Sequence, residues 1–341
     1  MSWDKKLTLK VIPLGLLSLF MSGETEATSY SLNNSTMKQK QIEYAKYQYL
    51  TVNDNTTDIL NHPAFEGFSS LILPWDDDRK NINVSLNNIQ SLLPYHSHVV
   101  PEVVVKSLNR MIDDRRHDQT VFYEFYSAQQ KVEAPDKKNT GLFFFRGEKD
   151  APFAIVCPGG GFEYVGSLHE GFPYADEISR QGYNVFVLRY RVGRGGINAV
   201  QDLASAITYI FRNAAKLQVS THGYSVWGSS AGARMAAAIG SYGIAQFGGD
   251  DLPKPAAVVM AYTGYSDYTT HEPPTFVAVG SEDTIAPPFI MEQRVNALKH
   301  RNSVVEYHQY PGVGHGFGLG KGTSAADWIL QAIQFWGETI K

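Results

Sequence analysis

Cysteine, an excess of positive charge and long hydrophobic runs are all missing from this chain. Cys157 is the single cysteine among 341 residues, which excludes an intramolecular disulfide framework and any multi-cysteine zinc or iron–sulfur site. Lys and Arg number 30 against 34 Asp and Glu, so the formal net charge is −4. Because no basic excess is available to neutralise phosphates, we expect no nucleic-acid partner. The 30 glycines and 16 prolines follow no period, which excludes a collagen-like or repeat protein.

An apolar run near the N-terminus is too short to cross a bilayer. Val11–Met21 would form a helix of about 16 Å, roughly half the thickness of the hydrocarbon core. Lysines precede this run, a pattern that fits a signal peptide over residues 1–27 and hence export. A buried N-terminal helix in a cytoplasmic protein fits the same pattern. Residues 28–41 are rich in Ser, Asn and Thr and indicate a linker.

Residues 28–118 are interpreted as an N-terminal extension ahead of a larger domain. One helix is predicted over 102–112, where apolar residues recur on one face. The acidic run that begins at Asp76 predicts a solvated loop, because adjacent carboxylates point in different directions. His96 and His98 could share one side of an extended segment, but no acidic or thiol partner lies nearby in sequence. We therefore expect no metal site there.

From residue 119 onward, short apolar strands alternate with helices, apart from a first pair of strands joined by a polar turn. This alternation predicts an α/β domain over 119–341, with a mostly parallel central sheet covered by helices on both faces. In such sheets the chemistry lies beyond the carboxyl ends of the strands. The predicted strands are 121–126, 142–145, 153–157, 183–190, 223–227, 256–262, 275–279 and 304–310, and the predicted helices are 170–181, 199–215, 231–241, 288–300 and 323–340.

Ser230 stands at the centre of a G-x-S-x-G motif, Gly228-Ser229-Ser230-Ala231-Gly232. An apolar strand precedes the motif and an alanine-rich helix follows it. Glycines flank a serine in this way where the turn from strand to helix is too tight for side chains, which leaves the hydroxyl exposed. The motif in this context predicts that Ser230 is a nucleophile.

A serine nucleophile requires a base, and the base requires a carboxylate that orients it. Asp283 follows one predicted strand and His315 follows the next, so both should lie at the same edge of the sheet as Ser230. The chain order Ser…Asp…His is the order that this architecture uses. Glu282 and Asp267 are the competing choices for the acid. We predict a triad of Ser230, His315 and Asp283.

The glycine run Gly159-Gly160-Gly161 follows directly after an apolar strand. Glycines let the backbone approach a substrate closely, so that N–H groups can bind a developing oxyanion. We predict an oxyanion hole formed by the amides of Gly160, Gly161 and Ala231. Cys157, at the end of the strand, is interpreted as a buried packing residue.

These motifs resemble the α/β-hydrolase superfamily, and within it the acetyl esterase/lipase branch. Further resemblance to bacterial carbohydrate esterases lies in 158–164, 169–171 and 187–192. Lipases and esterases of that branch carry HGGG, whereas this chain has Pro158 in place of the histidine. The resemblance covers about 120–341 and implies a serine esterase of short acyl, acetyl-like esters, carbohydrate esters included, without metal or cofactor. A serine peptidase of the prolyl-oligopeptidase type and a non-catalytic binding protein are the alternatives.

Aromatic residues on the predicted loops are the candidate substrate contacts. We expect Tyr164, Tyr262 and Phe317 to line the site, where their rings could stack on a sugar or a phenolic acyl group. Tyr265 lies on such a loop as well. Only Thr263–Pro274 separates two strands where many members of the fold insert a helical lid. We therefore expect the 28–118 extension to dock near the strand ends as a cap and to favour acyl chains of about two to four carbons.

Overall fold

An eight-stranded sheet forms the centre of the structure, a computed structural model that describes residues 47–341. The predicted signal peptide over 1–27 and the linker over 28–41 lie outside the described residues. The strands follow the order β1-β2-β4-β3-β5-β6-β7-β8 across the sheet. They are β1 Phe122–Tyr123, β2 Gly141–Phe145, β3 Pro152–Cys157, β4 Asn184–Arg189, β5 Ser220–Ser229, β6 Ala257–Ala261, β7 Thr275–Gly280 and β8 Val305–Tyr310.

Six neighbouring strands, β4, β3, β5, β6, β7 and β8, are parallel to one another. Strand β2 is antiparallel to both of its neighbours, β1 and β4. The inner strands are continuous apolar runs that are buried along their length, as expected where helices cover both faces. The mostly parallel sheet predicted from the sequence is therefore confirmed. Because strands β5, β7 and β8 run in one direction, the loops after them meet at a single edge.

Helices cover both faces of the sheet. On one face, α3, α5 and α10 share a hydrophobic cluster with the sheet, and on the other face α6, α8 and α9 share a second cluster. The helices are α1 Thr56–Asn61, α2 Ser69–Ile72, α3 Pro101–Arg116, α4 Ala128–Glu133, α5 Phe172–Arg180, α6 Ile197–Arg212, α7 Ala214–Leu217, α8 Ala231–Tyr242, α9 Pro288–Lys299 and α10 Trp328–Thr339. Among the described residues, no helix is both long and apolar enough to span a membrane.

Residues 47–118 belong to the core of the domain that follows them. Phe68 stacks on Phe122 at 4.9 Å between ring centroids and meets the edge of Phe143 at 5.9 Å. Leu108 and Met111 of α3 are fully buried in the cluster that also contains α10. Residues 47–341 form one compact unit, so the predicted domain boundary at 118/119 is wrong. The segment lacks a core of its own because its apolar residues complete one face of the sheet.

The first predicted strand and the last predicted helix are shorter in the structure. The first predicted strand pairs only over Phe122–Tyr123, because Ser127 and Gln130 form a capping box that begins α4. Helix α4 and a 3₁₀ turn, Pro135–Asn139, therefore replace the predicted polar turn. The last helix begins at Trp328 rather than at 323, since turns between 320 and 327 precede it.

Candidate active site

Ser230 occupies the sharp turn between β5 and α8. Its φ of +50° and ψ of −115° lie outside the conformations that non-glycine residues ordinarily adopt. Its backbone N–H donates to the carbonyl of Ala261 on β6 at 2.9 Å. The sheet edge therefore holds a strained backbone that presents the hydroxyl.

The two motif glycines are required by close backbone approach. A Cβ on Gly228 would lie 2.2 Å from the carbonyl oxygen of Gly232. A Cβ on Gly232 would lie 1.9 Å from the carbonyl oxygen of Cys157. Any side chain at either position would push α8 away from the sheet. The G-x-S-x-G spacing is thus explained by packing on both sides of Ser230.

His315 and Asp283 meet Ser230 at this edge. His315 Nε2 lies 2.9 Å from Ser230 Oγ, and His315 Nδ1 lies 2.7 Å from Asp283 Oδ2. The other carboxylate oxygen, Oδ1, accepts from the amides of Ile285 at 2.9 Å and Ala286 at 2.7 Å. Asp283 is only 4% exposed and His315 8%, so the carboxylate has a fixed orientation. The structure brings together the three residues that the sequence analysis paired.

The competing carboxylates do not reach His315. Glu282 is exposed. Asp267 lines the same cavity, and its Oδ2 accepts instead from Tyr242 Oη at 2.5 Å. Cys157 is fully buried, and burial raises the pKa of its thiol, in keeping with a packing role.

A cavity of about 470 Å³ opens beside Ser230 and His315. Residues from the loop after β3, from the start of α8 and from the loops after β6 and β7 form its walls; they include Phe162, Ala231, Arg234, Tyr265, Asp267 and Ile285. None of residues 47–118 lines it. The predicted cap therefore does not line the cavity. The segment packs on one face of the sheet and contacts the loops on the side opposite the cavity.

The three predicted oxyanion donors have different positions. Gly161 and Ala231 line the cavity with Ser230, whereas Gly160 is not part of its wall. Ala231 begins α8, so its N–H has no partner within the helix. Neither Gly160 nor Gly161 donates its amide hydrogen to another backbone group within residues 47–341. The amides of Gly161 and Ala231 are therefore free to bind an oxyanion that forms next to Ser230.

The three predicted substrate contacts are buried and do not line the cavity, so this prediction is wrong. Tyr164 hydroxyl lies 2.8 Å from His96 Nδ1, and its ring packs on Trp75. Tyr262 and Phe317 pack against each other at 4.5 Å and have no exposed surface. The rings fill the space behind the loops. Of the predicted aromatic residues, Tyr265 is the one that faces the cavity.

A buried carboxylate behind the glycine loop is the main feature that sequence reasoning missed. Glu170 Oε1 accepts from Tyr262 Oη at 2.8 Å and lies 2.9 Å from His96 Nε2. Its Oε2 accepts the amide hydrogen of Gly159, next to the predicted oxyanion residues. Complete burial would raise the pKa of Glu170, but the neighbouring imidazoles of His96 and His169 and the Gly159 amide lower it to about 2.

His96 and Glu170 are both visible in the sequence, but nothing in the sequence indicates that they contact each other. His96 has no acidic neighbour in sequence, and Glu170 belongs to 169–171, a stretch whose only sequence signal is its resemblance to carbohydrate esterases. The two residues come from separate parts of the chain.

Ser97, next to His96, also supports the site. Its amide donates to the carbonyl of Gly316 at 2.9 Å, and its hydroxyl donates to the carbonyl of His315 at 2.7 Å.

Two aspartates of the acidic run at 76–80 form ion pairs. Asp76 pairs with the buried Arg189, whose guanidinium also donates to the carbonyl of Leu73 at 2.8 Å. Asp77 pairs with Arg79 on the surface. Within the described residues, no group of three or more His, Cys, Asp or Glu side chains is arranged to bind a metal.

Two family models match adjoining parts of the chain, with a short overlap. The BD-FAE family matches residues 142–252, and the prolyl oligopeptidase family matches residues 246–341. Together they cover the strands and loops that carry Ser230, Asp283 and His315. The chain has the α/β-hydrolase fold. Solved structures support this assignment independently.

The α/β-hydrolase from a Medee basin deep-sea metagenome library has a TM-score of 0.52 at 23% identity, over 59% of this chain and 93% of that one. The acetyl ester-xyloside bifunctional hydrolase from Caldicellulosiruptor lactoaceticus has a TM-score of 0.55 at 21% identity, over 64% and 95% of the two chains. At these identities the likeness shows the fold.

A curated relative is the acetylxylan esterase of Xylanibacter ruminicola, 22% identical over 236 residues. The match covers 60% of this chain but only 49% of the relative. The chain therefore spans about half the length of the curated relative that it matches. The relative agrees with the esterase branch indicated by the sequence motifs.

Proposed function

We propose that this α/β-hydrolase is a serine carboxylester hydrolase that acts on short-chain, acetyl-like esters, those of carbohydrates included. The observation that carries the proposal is the hydrogen-bonded chain Ser230–His315–Asp283, with its serine end at an open cavity. This arrangement suits acyl transfer, because a serine hydroxyl becomes a nucleophile when an oriented imidazole can take its proton.

The reaction would proceed through an acyl-enzyme. Ser230 Oγ attacks the ester carbonyl while His315 Nε2 takes its proton, and the amides of Gly161 and Ala231 bind the oxyanion. His315 then returns the proton to the departing alcohol. Asp283 holds the Nδ1–H of the imidazole and stabilises its charged form. A water molecule, deprotonated by His315, attacks the acyl group, and the acid leaves as Ser230 regains its proton.

The substrate class rests on the shape of the cavity and on the relatives. The cavity has a volume of about 470 Å³ and its walls mix backbone, polar and apolar groups, which suits a small acyl group beside a polar alcohol. The relatives are named for acetyl esters of xylan and for acetyl ester and xyloside hydrolysis. We therefore propose acetylated sugars as the first substrates to assay.

The test uses p-nitrophenyl esters of rising acyl length together with acetylated xylo-oligosaccharides. We expect the highest kcat/KM for acyl chains of two to four carbons and release of acetate from the sugars. Ser230→Ala should lower kcat by about 10⁶-fold. The matched control is Ser229→Ala, since the Ser229 hydroxyl points away from the cavity to Tyr174 Oη at 3.2 Å. Equal activity of the wild type and Ser230→Ala would refute the proposal.

A serine peptidase is the second candidate, because the prolyl oligopeptidase model matches the part of the chain with Asp283 and His315. The same nucleophile and base would cleave an amide. The measurement is cleavage of prolyl p-nitroanilides beside the p-nitrophenyl esters. A peptide-to-ester ratio of kcat/KM near or above one would favour the peptidase.

A further inference from the structure

Arg234 is the cationic wall of the cavity beside Ser230. It lies on α8, one helical turn beyond the serine, and residues four positions apart are neighbours on a helix. Both side chains line the same cavity. Arg234 is exposed, although helix α8 is otherwise buried nearly throughout. The guanidinium therefore faces the space that a substrate would fill.

Two aromatic rings flank this guanidinium. Its carbon lies 5.7 Å from the ring centroid of Phe162 and 5.8 Å from that of Tyr265, and both rings line the cavity. Within residues 47–341, Arg234 makes no ion pair. A guanidinium carries its charge at every accessible pH and can bind a carboxylate through two parallel hydrogen bonds. The rings restrict where the side chain can move while leaving its N–H groups unused.

Asp267 is the carboxylate that faces the same cavity, and neutral donors already satisfy it. Its Oδ2 accepts from Tyr242 Oη at 2.5 Å and from Tyr265 Oη at 3.4 Å, and its Oδ1 accepts from the amide of Tyr268 at 3.0 Å. Within the described residues it forms no ion pair with Arg234. A second arginine nearby, Arg294, is buried and paired with Glu272 at 3.0 Å.

We propose that Arg234 forms an anion subsite, so that the preferred esters carry a carboxylate a few bonds from the scissile carbonyl. The inference rests on the proposed ester hydrolysis. The carboxylate can belong to the acyl part, as in a half-ester of a dicarboxylic acid, or to the alcohol part, as in an acetylated uronic acid. In either case it would displace solvent from the guanidinium while Ser230 attacks the carbonyl.

The experiment compares two matched pairs of substrates. The acyl pair is the mono-p-nitrophenyl ester of glutaric acid against p-nitrophenyl pentanoate, which differ by a terminal carboxylate. The alcohol pair is an O-acetylated methyl glucuronoside against the corresponding methyl glucoside. For each pair the readout is the ratio of kcat/KM for the charged substrate to that for the neutral substrate.

We expect Arg234→Gln to lower this ratio by about tenfold or more in one of the pairs, the amount expected for one charge-assisted contact. Arg234→Lys keeps the charge without the planar fork and should give an intermediate ratio. Raising the salt concentration should lower the wild-type ratio, since the contact is exposed to solvent. Arg212→Gln is the matched control; this exposed arginine pairs with Asp250 away from the cavity and should leave both ratios unchanged.

The outcomes separate this inference from the proposed function. Unchanged ratios in both pairs for Arg234→Gln would overturn the anion subsite while neutral esters are still hydrolysed. Failure of the wild-type protein to hydrolyse any of the four esters would overturn the esterase itself, and the subsite with it. A loss confined to the acyl pair or to the alcohol pair identifies which part of the substrate carries the carboxylate.

Discussion

Glu170→Gln should destabilise the fold by about 3–5 kcal/mol, the cost of removing one partner of a buried pair. Glu170 is fully buried and pairs with His96, whose side chain is 1% exposed. A second route gives a similar magnitude. The pKa of Glu170 is lowered from its ordinary 4.5 to about 2, which corresponds to about 3 kcal/mol of stability at neutral pH. For a chain of this size, Tm should fall by roughly 5–8 °C.

The assay is urea and thermal unfolding of the wild type and Glu170→Gln between pH 7 and pH 3. Because the folded pKa is below the unfolded one, the carboxylate stabilises the fold above pH 4.5 and this contribution is lost as the pH falls toward 2. The difference in the free energy of unfolding between the wild type and Glu170→Gln should therefore become smaller as the pH falls. Glu338→Gln, an exposed position on α10, is the control and should change stability by less than about 0.5 kcal/mol. A difference in the free energy of unfolding below about 1 kcal/mol at pH 7, or one that stays constant with pH, would contradict the stabilising role of the Glu170 carboxylate.

Four further outcomes are expected. Asp283→Asn should lower kcat by about 10⁴-fold with KM little changed, measured on p-nitrophenyl acetate; full activity would assign the acid to another residue. Tyr164→Phe should cost about 1–3 kcal/mol in urea unfolding without altering the acyl-length profile, since the side chain is buried behind the loops. Buried neutral His169, with its pKa lowered to about 4 chiefly by burial, should add to the loss of stability between pH 6.5 and 4, and His169→Gln should flatten that part of the profile. A chain starting at residue 119 should aggregate, and a soluble, cooperatively folding product would show that 47–118 is dispensable.

The elements that could be predicted are those whose signal is local. The inner strands are continuous apolar runs, and Ser230 lies between two glycines that the backbone geometry requires. Asp283 and His315 could be placed at the same edge because each follows a parallel strand. Neither the position of Ser230 nor that of Asp283 and His315 depends on which side chains contact each other across the sheet. Periodicity and turn residues therefore carried most of the fold and the proposed triad.

The parts that could not be predicted depend on pairing between distant segments. An aromatic residue on a loop looks the same in sequence whether it lies on a cavity wall or fills the space behind it. Tyr164 and Tyr262 are buried because residues 74–96 cover the rear of the glycine loop and because Glu170 needs hydroxyl and imidazole donors. Phe162 and Arg234, which do face the cavity, carry no distinguishing pattern. The identity of the cavity wall is decided by tertiary contacts alone.

The described residues before 119 hold the loops of the site in position and do not line its cavity. His96 satisfies Glu170, Glu170 holds the Gly159 amide, and Ser97 fixes the backbone of the His315 loop. One short stretch thus contacts both loops on either side of Ser230. The same contacts account for Pro158 at the position where an HGGG motif has histidine. A proline has no side-chain donor, and here the Glu170 carboxylate accepts the Gly159 amide and orients the glycine loop. Removing the segment would leave Glu170 buried without its partner, so the glycine loop and the histidine loop should lose their positions together.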